Sequence, residues 1–503
     1  MTKQRPYIYY DTATSICSQC LERVDGKIVF MDGAVWMLKR CPQHGAEQVM
    51  LADDIDYYRR SREVFIKTPE QSLCYNTPVK WGCPYDCGIC PDHEQHACTV
   101  LIEVTDQCNL TCPTCYANSS PKRQTHRSMA QIIAMLDLAV KNEGEPNIIQ
   151  ISGGEPTIHP EFFAIIDEAR KRPIKHLLIN TNGLKIAQDE EFAQRLASYG
   201  GGLEVYLQFD SLHNESIEVL RASPLKRVHE KAIERLNRLN IATTLVVTIR
   251  RGVNDQQLGE IIDFAVKQPC VRGITFQPVQ VAGRLDNYQD GYQPERDRLT
   301  LTEVRRNILQ QSDLFIPEDI IPVPCHADTI AMAYALKLPD QFIALTSLID
   351  PQVLIQNSAN TINFEKEAGI QQHIFKAFST HHNPQSQPQA IGELLGSDAN
   401  PTAKKAQTPI DFTTLSYNNI FRIVIMEFID AYSFDLRSIR KSCVHIAHPD
   451  GKRMIPFDTF NMFYRDNLEQ EVLNPIRQKR EAMGGAISVV PDESKQIKVT
   501  NLS

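Results

Sequence analysis

No stretch of this 503-residue chain stays apolar for the roughly 18 consecutive residues that a membrane span requires. Residues 1–10 are polar and aromatic and lack the apolar core of a secretory signal. Cationic excess is missing too: 53 Lys and Arg stand against 61 Asp and Glu, a formal charge of −8, which leaves no global footprint for nucleic acid. The expectation is a cytoplasmic protein with no transmembrane segment and no nucleic-acid partner, long enough for roughly two to four domains. Cysteine is nearly missing from the later part of the chain, where only three of the 14 follow Cys115. The eleven up to that point fall in short-spaced groups, which in a reducing compartment favour metal binding over disulfides. Oxygen sensitivity is the corollary.

The chain is organised around residues 105–116, TDQCNLTCPTCY. Cys108, Cys112 and Cys115 are separated by three residues and then two, directly after an apolar run at 100–104 that reads as a strand. Thiolates of this kind hold iron–sulfur clusters. A cubane has four irons, so three local cysteines leave one iron with an open position for a ligand. A structural zinc loop and a disulfide cluster are the alternative uses of such thiols. The spacing, down to the aromatic Tyr116 after the third cysteine, resembles that of the radical S-adenosylmethionine (radical SAM) superfamily. The resemblance implies that the open iron binds the amino and carboxylate groups of SAM, which makes these three cysteines the catalytic cluster ligands.

Two further groups precede this triad. Cys17 and Cys20, then Cys41 and His44, are two knuckle-like pairs with two-residue spacing, a Cys3His set for one structural zinc or iron. Cys83, Cys87 and Cys90 repeat the three-then-two spacing, and Cys98 lies eight residues downstream. Four thiolates close a [4Fe–4S] cluster, so these four read as ligands of an auxiliary cluster, with Cys74 as an alternative ligand. Cys325 and Cys443, each followed closely by histidine, offer a second auxiliary metal site able to recruit a histidine, Asp458 or Cys74. Burial as small apolar residues is their other reading.

From residue 100 to about 280, apolar runs at 100–104, 148–152, 176–180, 203–209, 243–249 and 273–278 alternate with amphipathic stretches at 128–141, 161–171, 189–199, 224–240 and 258–267. That rhythm predicts a parallel α/β domain. The resemblance narrows it to an open (β/α)6 partial barrel, whose chemistry sits where strands run into the following loops. Gly153, Gly154 and Glu155 lie at the second strand end, where glycines admit close backbone approach. They match the superfamily's GGEP motif, which contacts the SAM amino group. Asn180, Gln208 and Asp210 resemble the polar strand ends that hold SAM, and Asn254 lies where the family places adenine contacts. Gln277, at the sixth strand end, reads as a substrate contact. Turn chemistry is the competing use of such residues.

Beyond residue 315 the rhythm stops and an α-rich region is expected, with helices over 421–434 and 365–378, a flexible stretch over 384–409 and a frayed tail past Gly485. The run at 330–355 is expected to pack in the core, with the lining of a greasy substrate groove as its other use. The resulting divisions are a metal-knuckle region at 1–73, an auxiliary cluster segment at 74–98, the partial barrel at 99–290 and a C-terminal region at 291–503. Over nearly its whole length the motif order resembles the radical SAM branch that contains the 7,8-dihydro-6-hydroxymethylpterin methylase and the tetraether lipid synthase. That implies an enzyme of transferase or oxidoreductase type. Reductive SAM cleavage to a 5′-deoxyadenosyl radical would serve carbon–carbon bond formation on a small molecule or lipid, with an external electron donor such as ferredoxin or flavodoxin. A peptide-modifying radical SAM enzyme is the alternative, and a non-enzymatic electron carrier fits the SAM motifs less well. One departure stands out: Asp458 follows Ile-Pro-Phe where the branch is expected to carry cysteine.

Overall fold

The computed structural model describes residues 5–68, 70–338, 341–347 and 417–484. The helix expected over 365–378, the flexible stretch over 384–409 and the frayed tail lie outside the described residues. The chain opens with four antiparallel strands in sequential order, β1 (Ile8–Ile16), β2 (Arg23–Met31), β3 (Ala34–Cys41) and β4 (Gly45–Ala52). Burial alternates along β2, so one face packs on a small core of Ala13, Ile28, Val35, Met37 and Val49. Asp32 and Gly33, both at positive φ, form the tight turn between β2 and β3. The buried Lys39 ammonium donates to the carbonyls of Ile16, Ala431 and Tyr432 and pairs with Glu47. This small sheet is thereby fastened to a segment nearly 400 residues away.

The middle of the chain supplies β5 (Thr99–Thr105), β6 (Thr114–Cys115), β7 (Ile148–Gly153), β8 (His176–Thr181), β9 (Leu203–Gln208), β10 (Thr243–Ile249), β11 (Val271–Pro278) and β12 (Arg284–Leu285). Strands β5 and β7 to β11 are parallel and neighbour one another in chain order. All of β5 is buried, as expected of strands covered on both faces. Helices Met129–Glu143, Phe162–Arg170, Glu190–Ala197, Lys226–Arg238 and Leu258–Lys267 fill the crossovers. Ser128 opens the first with a reciprocal cap to Gln131, and Asp189 caps the third.

The C-terminal region contributes β13 (Ile321–Pro322), β14 (Ile330–Lys337), β15 (Phe342–Ala344), β16 (Ile420–Met426), β17 (Val444–Ala447) and β18 (Met454–Pro456), together with the helix Phe457–Phe463. Two of these strands flank the parallel set: β16 pairs in parallel with β11, and β17 pairs in parallel with β5. The result, among the described residues, is one 12-stranded sheet. The helix expected over 421–434 is therefore corrected to strand β16 and the loop after it. Enclosed between β11 and β14, its FRIVI run is buried on both faces, and a short doubly buried strand cannot be told from a helix by apolar spacing. Of the run expected over 330–355, Ile330–Lys337 forms β14 and packs in the core as expected, while 339–340 and 348–355 lie outside the described residues. Among the described residues, no helix is long and apolar enough to cross a membrane.

Candidate active site

β5 delivers the triad. The chain leaves its C-terminal end into the cysteine loop, and β7, its neighbour, ends in the two glycines. Gly154 N–H donates to Thr105 O at 2.7 Å and Glu155 N–H to Gln107 O at 2.9 Å. The fit is tight enough that a Cβ on Gly154 would meet Gln107 O at 2.1 Å, and Gly153 holds φ +126°. Gly154→Ala is accordingly expected to push the cysteine loop off its seat at a cost of about 1–3 kcal/mol. Iron content after reconstitution and the change in the cluster's magnetic resonance spectrum on adding SAM read the effect; wild-type values for both would refute it. The loop's other side is clamped by β12, which pairs with β6, and by Arg284, whose Nε donates to Cys112 O at 2.7 Å and Nη2 to Ser119 O at 2.7 Å.

Cys108, Cys112 and Cys115 wall one cavity inside the mouth of the sheet together with Gly153, Gly154, Glu155, Asn180, Gln208 and Gln277. Burial, and after it the Glu155 carboxylate, push the Cys108 thiol up to about 12, so loading a metal there releases a proton. A belt of hydrogen bonds runs around the strand ends. Tyr116 Oη lies 3.1 Å from Ser152 Oγ, Asn180 Nδ2 donates to Ser152 Oγ at 3.1 Å, and Gln208 Nε2 donates to Asn180 Oδ1 at 2.8 Å. Arg221 closes the belt, donating to Gln208 Oε1 and Thr248 Oγ1, each at 3.0 Å. Its Nη1 also stands 4.0 Å from Cys112 Sγ, which turns a cation toward the triad.

Three expected contacts are used differently from the sequence reading. Asp210 is fully buried and does not line the cavity; it grips Arg221 through Nε at 2.5 Å and Nη2 at 2.8 Å, and so acts by aiming that guanidinium. Asn254, expected at the adenine contacts, is also not among the residues that line the cavity. Its amide is consumed in bracing the loop, accepting from Arg250 N–H and donating to the carbonyls of Asp210 and Thr248, each at 2.9 Å. Glu155 does line the cavity, but its carboxylate accepts from Thr157, Thr181 and the Asn182 N–H, while Asn182 Nδ2 reaches Asn109 in the cysteine loop at 2.7 Å. It ties two strand ends to the triad. Arg221 is the residue the sequence hid: it lies eleven positions after Asp210 at the end of an amphipathic helix, and only that offset from a strand-end aspartate signals it.

The other cysteines divide into three places. Cys17, Cys20, Cys41 and His44 have their ligand atoms within 4.8 Å of one another, with His44 Nδ1 3.4 Å from Cys17 Sγ and 3.5 Å from Cys41 Sγ. Burial opposes ionisation of Cys41, but the amides of Gln43 and His44 and the His44 ring outweigh it and bring the thiol down to about 6. Cys83 and Cys90 hydrogen-bond each other, with Arg440 beside Cys83 and Thr459 bonded to Cys87. Cys98 is not with them. It joins Cys325 and Cys443 in a second buried group within 4.8 Å, where the last two sulfurs are 3.6 Å apart. The reason is the sheet: Cys98 and Cys443 directly precede β5 and β17, whose parallel register sets Thr99 opposite Val444. Asp458 is buried close by, accepting from Ile429 N–H at 2.7 Å and Ser442 Oγ at 3.2 Å, and His93 and His445 meet through their Nε2 atoms at 3.1 Å. Cys74 lies beside Asn142, 3.2 Å from its Oδ1.

Residues 102–265 match the radical SAM superfamily. The chain carries a radical SAM domain and is an enzyme of that type. Residues 9–53 match the HMPTM N-terminal zinc ribbon domain, the four-stranded sheet with the Cys3His group. The chain is 29% identical over 497 residues to a 7,8-dihydro-6-hydroxymethylpterin dimethyltransferase of Methanocaldococcus jannaschii, covering 92% of this chain and 96% of that protein. It is 28% identical over 191 residues to a GTP 3′,8-cyclase of Syntrophomonas wolfei subsp. wolfei, covering 37% of this chain and 57% of that relative. Among solved structures, Streptococcus suis SuiB bound to S-adenosylmethionine aligns with a TM-score of 0.35 and 16% identity, covering 43% of this chain and 47% of that one. The radical SAM domain implies a [4Fe–4S] cluster and SAM. The donor set fits them: no disulfide consumes the three thiols, and all three line the cavity that Gly153 and Gly154 also line.

Proposed function

We propose that Cys108, Cys112 and Cys115 hold the cluster and that this radical SAM enzyme makes carbon–carbon bonds, by methyl or methylene transfer or by alkyl coupling, on a small molecule or lipid. When bound, cluster and SAM supply reductive cleavage of a carbon–sulfur bond and a 5′-deoxyadenosyl radical that takes hydrogen from an unactivated carbon. What supports the reading is the convergence of three thiols, the Gly153-Gly154 turn and an Asp210-held guanidinium on one enclosed cavity. The chain's own part is positioning. Arg221 offers a cation to a carboxylate, Asn180 and Gln208 offer amides to hydroxyls, and the segment between β11 and β12 lines the cavity through Val279, Gln280 and Ala282. The M. jannaschii relative, named as a dimethyltransferase of a pterin, favours transfer of one-carbon units.

The same reading assigns Cys17, Cys20, Cys41 and His44 to a structural zinc or iron, Cys83, Cys87 and Cys90 to one auxiliary iron–sulfur site, and Cys98, Cys325 and Cys443 to another. An external carrier such as ferredoxin or flavodoxin would deliver the electron. The test is anaerobic reconstitution followed by SAM and a chemical reductant. Methionine and 5′-deoxyadenosine are expected in equal amounts, and their absence from a cluster-loaded enzyme would overturn the proposal. Pterins and lipids added to the same reaction then identify the acceptor by mass.

A further inference from the structure

Gln280 lines the active-site cavity, and its primary amide is buried there. The residue is 8% exposed, and neither Nε2 nor Oε1 has a hydrogen-bond partner among the described residues. The backbone around it is fixed on both sides: Val279 N–H donates to Ile249 O at 2.9 Å, and Val281 N–H to Asp430 Oδ2 at 3.1 Å. Four residues on, β12 begins its pairing with β6 at Cys115, so Gln280 stands in the segment that crosses the cavity mouth next to the triad. Phe428 and Phe457 line the same cavity with ring centroids 4.1 Å apart, and Tyr116 adds a third ring 5.0 Å from Phe457.

A buried amide with both atoms unpaired is rare, because each atom has given up water for nothing. Whichever way the amide is turned, it offers one donor and one acceptor on a single edge. Relief therefore comes from a ligand with an acceptor and a donor side by side in one plane, as on a lactam or amidine edge. Glutamine makes this two-point pair with adenine in nucleic-acid recognition. Aromatic side chains in the same cavity supply faces for such a flat ring.

We infer that Gln280 is a specificity-determining residue that reads the donor–acceptor edge of a planar nitrogen heterocycle bound in this cavity. The inference rests on the radical SAM reading, and the ring belongs either to the substrate or to the adenine of SAM. Reconstituted enzyme and the variants Gln280→Leu and Gln280→Glu are titrated by calorimetry with two probes, 7,8-dihydro-6-hydroxymethylpterin and S-adenosylhomocysteine, so that no turnover is needed. Loss of a two-point pair weakens one probe by about 5- to 150-fold in Gln280→Leu. A loss for the pterin alone assigns the edge to substrate, and a loss for S-adenosylhomocysteine alone assigns it to adenine. Gln280→Glu keeps shape and acceptor but not the donor, so it weakens the same probe even if the leucine variant folds poorly. Iron content equal to wild type guards against collapse of the site. If neither probe weakens, or both weaken equally, the inference is overturned. Failure of the radical SAM reading would show separately, as wild-type enzyme that binds no S-adenosylhomocysteine.

Discussion

Alanine at Cys108, Cys112 and Cys115 together is expected to reduce 5′-deoxyadenosine formation to the level seen without enzyme. The iron count should fall by about four atoms, the content of one cubane. The argument is spatial. These thiols line the cavity between β5 and β11, whereas Cys98, Cys325 and Cys443 sit at the opposite end of β5, ahead of its first residue. Cys83, Cys87 and Cys90 share the triad's spacing but pack against the helix Phe457–Phe463 through Thr459, away from the glycine turn. Loss of one group therefore leaves the others seated. The matching triple replacement at Cys83, Cys87 and Cys90 is expected to remove iron while SAM binding persists. Iron and sulfide analysis, with chromatography of the nucleoside, checks both variants. SAM turnover that survives in the Cys108, Cys112, Cys115 variant would sink the assignment of the reactive cluster.

The six parallel strands and their helices were legible because each is local: an apolar run, a turn and an amphipathic stretch fall within some 35 residues. The triad and the Gly153-Gly154-Glu155 turn were legible for the same reason, and so was the N-terminal Cys3His group, whose two pairs are brought together by neighbouring hairpins. What escaped depends on distant partners. β16 looked helical until β11 and β14 enclosed it. Spacing groups Cys98 with its neighbours in sequence, because nothing local reveals that β17, some 345 residues on, lies beside β5 and carries Cys443 to it. Asp210 and Asn254 have the right chemistry at the right strand ends, yet their hydrogen bonds turn away from the cavity toward Arg221 and the loop backbone. Sequence shows which polar groups are present at a strand end, while packing decides which of them still have an atom to spare.

Glu204→Gln should be among the most destabilising single changes in the chain, costing about 3–5 kcal/mol in urea denaturation at neutral pH, the range for breaking a buried ion pair from one side. Glu204 is fully buried on β9. It accepts from His176 Nε2 at 2.9 Å and from Arg422 Nη2 at 2.8 Å, and it also hydrogen-bonds the Thr244 hydroxyl. Arg422 reaches it from β16 across β11 and β10, and Gly273 makes the crossing possible: a Cβ there would meet Arg422 Cγ at 2.6 Å. The cluster thus joins the C-terminal strand to the barrel interior below the triad. Burial alone would raise the Glu204 carboxyl, but Arg422, His176 and Thr244 hold it well below the usual range. Its contribution is therefore complete above the unfolded-state value of about 4.3 and is lost as pH falls through the lower folded-state value. Wild type should lose this increment in acid, and Glu204→Gln should not. Gln leaves the Arg422 guanidinium buried beside a neutral amide, so pairing it with Arg422→Met should restore much of the loss, since replacing both partners of a buried pair by neutral groups is often close to neutral. Two single losses that simply add in the double variant would show that the charges do not act as a pair, and the stability of this junction would then have to come from the apolar contacts of β16 with β11 and β14.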